Sequence, residues 1–141
     1  MADDVLLAAI IERCVARARE EYRADADGFA RNFTRQDAAI LNIQRACEAA
    51  LDMGQHLVRR ERLGVPQSAR DIFDLLQQGD WITPELADAM KRMVGFRNIA
   101  VHDDQKLLIP IVVSIITGHL DEFLTFSKGV LLKDAQGEAG P

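Results

Sequence analysis

Arg97, Asn98 and His102 bring together the side chains that can handle a phosphodiester without a metal. Arginine offers planar, charge-assisted donors to a phosphate and stays cationic at any working pH. Histidine exchanges a proton near neutral pH. Together they would cleave RNA by making its own 2′-hydroxyl attack the adjacent phosphorus. Arg97 would stabilise charge on the phosphoryl oxygens, His102 would move protons, and Asn98 would orient the phosphate or the imidazole. Neither a metal nor a cofactor is required, in keeping with a sequence that carries no carboxylate–histidine metal motif. Spacing alone is a weak signal, because an Arg and a His five apart often occur by chance.

Other candidates have plainer readings. His56 lies near Arg59, Arg60 and Arg62, a basic cluster at a helix end. Arg59 and Arg60 would touch RNA there, or the cluster is a solvated surface favoured by the helix C-terminus. His119 falls among apolar residues and reads as partly buried packing, and Trp81 follows a turn and reads as a plug at the edge of the fold. Cys14 and Cys47 have no Cys or His at metal-ligand spacing and read as buried small hydrophobes. The net charge of −5 counts against a protein that holds nucleic acid mainly through phosphates, though not against an enzyme with a local basic cleft.

The elements that must position these residues are helical. Asp3 or Asp4 can cap a first helix whose apolar residues are Val5, Leu6, Ala9, Ile10, Cys14 and Ala18. Residues 25–32, with Gly28, break that pattern. Thr34 begins a long second helix with Ile40, Ile43, Cys47, Ala50, Leu51, Gly54 and Leu57 on one face and Asn42, Arg45, Glu48, Asp52 and Gln55 on the other. Gly64, Val65 and Pro66 make a turn. Ser68 and Asp71 then open a short helix ending near Gly79. Thr83, Pro84 and Glu85 open a fourth helix expected to run to about Ile99 or Ala100. A single last helix carries Ile111, Val112, Ile115, Ile116, Leu120, Phe123 and Leu124, with Pro110 in its first turn or kinking it. The β-branched run 107–116 resembles a strand, but its helical continuation through Leu120 and Phe123 decides for helix. The sum is an all-α, antiparallel four-helix-type bundle with an extra short helix, spanning residues 1–132, with 133–141 as a flexible tail. No apolar run reaches the roughly 18 residues of a membrane span. The acidic start lacks the basic opening of a secretory signal, so a cytoplasmic protein is expected.

Geometry sharpens the chemistry. On a helical wheel Arg97 lies about 40° from the centre of a buried stripe through Met93. An arginine there must snorkel, line a cleft or pair with a carboxylate, and a structural salt bridge to Glu48 or Asp52 is one reading. His102 is roughly 140° round from Arg97 if the helix is continuous. The two meet on one phosphate if the helix ends between them, or if two copies of the chain set their fourth helices beside a two-fold axis.

The text around the candidates, MVGFRNIAVHDDQ, resembles the signature of HEPN-domain proteins of the HepT-like toxin branch. The resemblance extends to LNIQRACEAALDMGQHL, PQSARDIFDLL and IITGHLDEFLTF, covering about residues 35–126. It implies the toxin component of a bacterial type VII toxin–antitoxin system: a metal-independent endoribonuclease, homodimeric, with its site in the dimer cleft. It also implies neutralisation by an MntA-type nucleotidyltransferase antitoxin. The catalytic Arg falls on Arg97, its polar neighbour on Asn98 and the catalytic His on His102. The family pattern places a Tyr two residues after the His, the acceptor of AMP from the antitoxin. Here that position is Asp104, which cannot serve as a phenolic acceptor, and the only tyrosine is Tyr22. That departure keeps an alternative open, a catalytically silent HEPN module that binds a nucleotidyltransferase partner or a nucleotide.

Overall fold

The computed structural model describes residues 2–102 and 108–139. Six α-helices run α1 Ala2–Ala24, α2 Phe33–Arg60, α3 Ala69–Gln78, α4 Pro84–His102, α5 Ile109–Gly118 and α6 Asp121–Ala139, with a 3₁₀ turn at Phe29–Arg31 and no strand among the described residues. The bundle is all-α, as the periodicity required. α2 is its axis, packing against α1, α3, α4 and α6. Ala39, Ile43, Ala46, Cys47, Ala50, Met53 and Leu57 line the buried side of α2. Phe73 and Phe126 meet edge to face, with ring centroids 5.5 Å apart, and join α3 to α6.

Local chemistry sets the helix starts. α2 starts at Phe33, one residue before Thr34, and Asn32 caps it: its side chain accepts from the Arg35 N–H at 3.1 Å. Ser68 caps α3 by accepting from the Asp71 N–H at 3.2 Å, and the Asp71 carboxylate accepts from the Gln67 N–H at 2.9 Å. Thr83 accepts from the Leu86 N–H at 3.1 Å, with Pro84 as the first residue of α4. Pro110 sits in the first turn of α5, where its missing N–H costs nothing.

Four expectations are corrected. α1 starts at Ala2, so Asp3 and Asp4 lie in its first turn rather than before it. Its buried face is Asp4, Ile11, Cys14, Val15 and Ala18, whereas Val5, Leu6 and Ile10 are exposed. The N-terminal apolar residues are rotated off the stripe that faces α2. The single last helix is two helices, α5 and α6, meeting at a 45° bend. The His119 N–H closes onto the Ile115 carbonyl, and the acidic Asp121 and Glu122 open a new first turn. α6 runs to Ala139. Arg60 donates to both Asp134 oxygens at 3.1 and 2.8 Å, and Lys133 lies 5.0 Å from the Trp81 ring centroid while donating to the Asp80 carbonyl. Finally, α4 does not stop at Ile99 or Ala100 but runs to His102. Nothing from Asn98 to Val101 breaks a helix. No single helix among the described residues is long and apolar enough to cross a membrane.

Candidate active site

Arg97 reaches the site from inside the bundle. Ala87, Met90, Met93 and Val94 anchor the buried face of α4, and Arg97 follows Met93 by one turn, directed toward α2. Its Nε–H donates to Glu48 Oε1, and its Nη1 donates to Asn98 Oδ1 at 2.6 Å. The side chain is 23% exposed and that of Glu48 48%. Of the two carboxylates weighed from sequence, Glu48 is the partner. Asp52 instead lines a shallow cleft of about 370 Å³ beside Arg97, together with Gln55, Gln67 and Ser68. Beneath this pair, burial pushes the Cys47 thiol up to about 12, with Arg97 opposing and Glu48 reinforcing the shift.

His102 occupies the last position of α4 and is exposed. Because α4 is unbroken, His102 stands roughly 140° round the helix from Arg97 and about 7.5 Å further along its axis. The structure thus brings Arg97 and Asn98 together and leaves His102 on another face of the same helix. The first of the two ways to unite Arg97 and His102, a helix end between them, is closed. Asp104 lies outside the described residues.

Among the remaining candidates, Arg60, His56, His119 and Trp81 have partners within the chain. Arg60 is committed to Asp134 and Glu61 and lies 5.9 Å from the Trp81 ring centroid, which raises its pKa through those carboxylates. Arg59 is exposed beside it. His56 Nδ1 stands 3.5 Å from Asp4 Oδ1. His119 caps α5 and meets Glu122 at 2.9 Å. Trp81 is half-buried at the edge of the bundle after the Gly79–Asp80 turn, under Arg60 and Lys133. Cys14 and Cys47 are free and buried.

Sequence reasoning passed over Arg70. A Cβ on Gly95 would fall 2.7 Å from Arg70 Nη2, so the guanidinium rests across the bare backbone of α4. Gly95 and His102, seven residues apart, share a face of α4. The available signal was Gly95 itself, a glycine in the interior of a helix.

The chain is thus an all-helical bundle that carries Arg-x4-His on one unbroken helix, with the arginine held by an acidic side chain of the central helix. Residues 11–130 match the family described as Ribonuclease HepT-like. The mRNA nuclease HepT of Shewanella oneidensis is 49% identical over 118 residues, 84% of this chain and 88% of that protein. A solved structure of the tri-AMPylated HEPN toxin of Shewanella oneidensis in complex with MNT antitoxin superposes with a TM-score of 0.89 at 44% identity, covering 94% of this chain and 98% of that one. A toxin–antitoxin crystal structure with AMP-PNP gives a TM-score of 0.90 at 44% identity, covering 94% and 99%. The chain belongs to the HepT-like ribonuclease family, and its fold is that of the HEPN toxins.

Proposed function

We propose that this chain is the toxin of a toxin–antitoxin pair, a metal-independent endoribonuclease that cleaves mRNA with Arg97 and His102. The observation that carries the reading is the intact Arg97–Asn98–His102 group on α4, within a chain 49% identical to an mRNA nuclease. His102 takes the proton of the 2′-hydroxyl as that oxygen bonds to phosphorus. The bond from phosphorus to the 5′-oxygen breaks, and a proton is returned to the leaving oxygen. Arg97 stabilises the charge that builds on the non-bridging oxygens. The products are a 2′,3′-cyclic phosphate and a 5′-hydroxyl.

The working unit in this proposal is a homodimer. An apolar groove of about 430 Å³ runs between α4 and α5, lined by Met93, Phe96, Ile99, Leu108, Pro110 and Ile111. Leu108 and Ile111 are 60% and 50% exposed in the single chain, which suits burial against a second copy. The antitoxin partner is a nucleotidyltransferase of the MntA type, and the pair works in the cytoplasm, where mRNA is made and read. Asp104 stands at the modification position and cannot accept AMP as a phenol does, so restraint here is by binding rather than by that transfer.

The test is cleavage of RNA in excess EDTA by the purified protein, with Arg97→Ala and His102→Ala alongside. Each variant should lose cleavage while keeping its helix content. Activity that needs added magnesium, or that survives His102→Ala, would overturn the mechanism. The pairing of Arg97 with Glu48 favours a second reading, a silent module whose arginine is a structural partner. Wild-type protein without cleavage would establish it.

A further inference from the structure

We infer that Glu48 is a positioning residue for the catalytic arginine, holding the Arg97 guanidinium at one angle for the scissile phosphate. This rests on the ribonuclease reading above. Arg97 has five N–H groups in a rigid planar fork. Glu48, projecting from α2, accepts from Nε–H, and Asn98 accepts from Nη1. Among the described residues, Nη2 donates no hydrogen bond. The two held donors fix the plane of the fork from two directions. Nη2 remains for an incoming phosphate oxygen, beside the cleft that Arg97 lines with Asp52 and Gln55.

Exposure separates this role from a merely structural one. Glu48 is half in water, so the ion pair does not rescue a buried charge and contributes little to folding. Arg97 stands at the end of the buried stripe of α4 with its side chain 23% exposed, so a long, flexible side chain has room to turn toward solvent. Without Glu48 the guanidinium is free to sample other orientations, and only some present Nη2 to the cleft. Charge alone does not require a partner at Nε: a carboxylate there partly neutralises the cation that must meet the phosphate. The arrangement makes sense as orientation gained against some loss of electrostatic pull. Glu48 therefore acts through Arg97 and touches no substrate itself.

The test compares Glu48→Ala and Glu48→Gln in the full chain, with kcat and KM measured separately on RNA. Glutamine keeps the acceptor oxygen and removes the charge. Glu48→Ala should lower kcat roughly 10- to 100-fold with little change in KM, the range expected when a reacting group is misplaced by about 1 Å. Glu48→Gln should restore kcat to within about threefold, and both variants should melt near the wild type. A second readout is independent of turnover: the Arg97 Nε–H should give a distinct, slowly exchanging NMR resonance, kept in Glu48→Gln and lost in Glu48→Ala. Unchanged or faster cleavage by Glu48→Ala, a glutamine variant as slow as alanine, or no protected Nε–H in the wild type would each overturn the proposal. Cleavage that persists in Arg97→Ala would instead overturn the ribonuclease site, and a protected Nε–H would survive that result.

Discussion

Gly54→Ala tests how closely the wall of the cleft is packed. Gly54 lies in the buried middle of α2, where alanine would normally gain about 1 kcal/mol of helix propensity. A Cβ at this position would stand 2.6 Å from Ile72 Cγ2 and 3.3 Å from Leu76 Cδ1. Carbon atoms in good contact stand about 3.5–4.0 Å apart, so roughly 1 Å of overlap must be relieved. The Ile72 methyl is attached at the branch point, and its χ1 is stiff in a helix, so the methyl has no easy escape. α3 must slide away, and inserting a carbon into a packed core costs about 1–3 kcal/mol. The two effects sum to a destabilisation of about 0–2 kcal/mol, and the stiff contact places the outcome toward the upper end, a melting temperature lower by about 3–8 °C. A thermal melt followed by circular dichroism measures it. Because Ile72 and Leu51 also line the cleft beside Arg97, RNA cleavage should fall at a temperature where the variant is still folded. Adding Ile72→Ala removes the opposing methyl, so the double variant should be more stable than the two single losses sum to. A Gly54→Ala protein that melts higher by the full propensity gain would refute the close-approach argument.

Four further expectations are simpler. Arg70→Ala should weaken RNA binding at low salt and flatten the dependence of log K on log salt by roughly one phosphate contact, measured by titration at several salt concentrations. Asp134→Ala, which removes the acceptors of the two Arg60 terminal nitrogens, should cost about 1 kcal/mol in denaturant unfolding, because Arg60 is partly exposed and retains Glu61 at Nε. The Cys47 thiol, buried and pushed up to about 12, should resist alkylation at pH 8 and react only as fast as the protein unfolds, as a thiol reagent and a denaturant series will show. Asp104→Tyr should make the chain an AMP acceptor for an MntA-type nucleotidyltransferase, read as a mass increase of one AMP.

The parts of the fold legible in the sequence were those set by local chemistry. Thr83, Pro84 and Glu85 mark the start of α4 because a cap, a fixed φ and a first-turn acid all act within one turn. Ser68 and Asp71 mark α3 for the same reason. The face of α1 was misjudged because its apolar residues change side: Leu6 and Ile10 are as hydrophobic as Ile11 and Val15, and only the packing of α1 on α2 chooses between them. The bend after Gly118 was hidden by a continuous apolar rhythm through Leu120 and Phe123, which a 45° turn at His119 does not interrupt. At the site, residue type singled out Arg97 and His102 as candidates, the resemblance of the surrounding segment gave them their roles, and the wheel put Arg97 near the core. Which carboxylate it would meet depends on the register between α2 and α4, a tertiary quantity that one helix cannot specify. Arg70 was missed because its seat is made of backbone, which carries no side-chain pattern to find.

The continuity of α4 leads to the sharpest test of how the site is assembled. With Arg97 and His102 roughly 140° apart on one rigid helix, a single phosphate cannot sit against both within one chain. In a two-fold dimer, however, Arg97 of one protomer can face the partner's His102 across the axis, and two equivalent sites result. Subunit mixing distinguishes the arrangements. Arg97→Ala homodimers and His102→Ala homodimers are each inactive in either case. When the two proteins are unfolded, mixed equally and refolded, about half of the dimers are hybrids by random pairing. In each hybrid, one site receives both alanines and the other receives both wild-type side chains. The mixture should therefore recover about a quarter of wild-type activity, and doubling one component should lower the yield in proportion to the hybrid fraction. If Arg97 and His102 of the same protomer served one site, every site in the hybrid would lack one residue and the mixture would stay silent. Silence with confirmed hybrid formation would mean that the end of α4 rearranges when RNA binds and that the trans assembly argued from helix geometry is wrong.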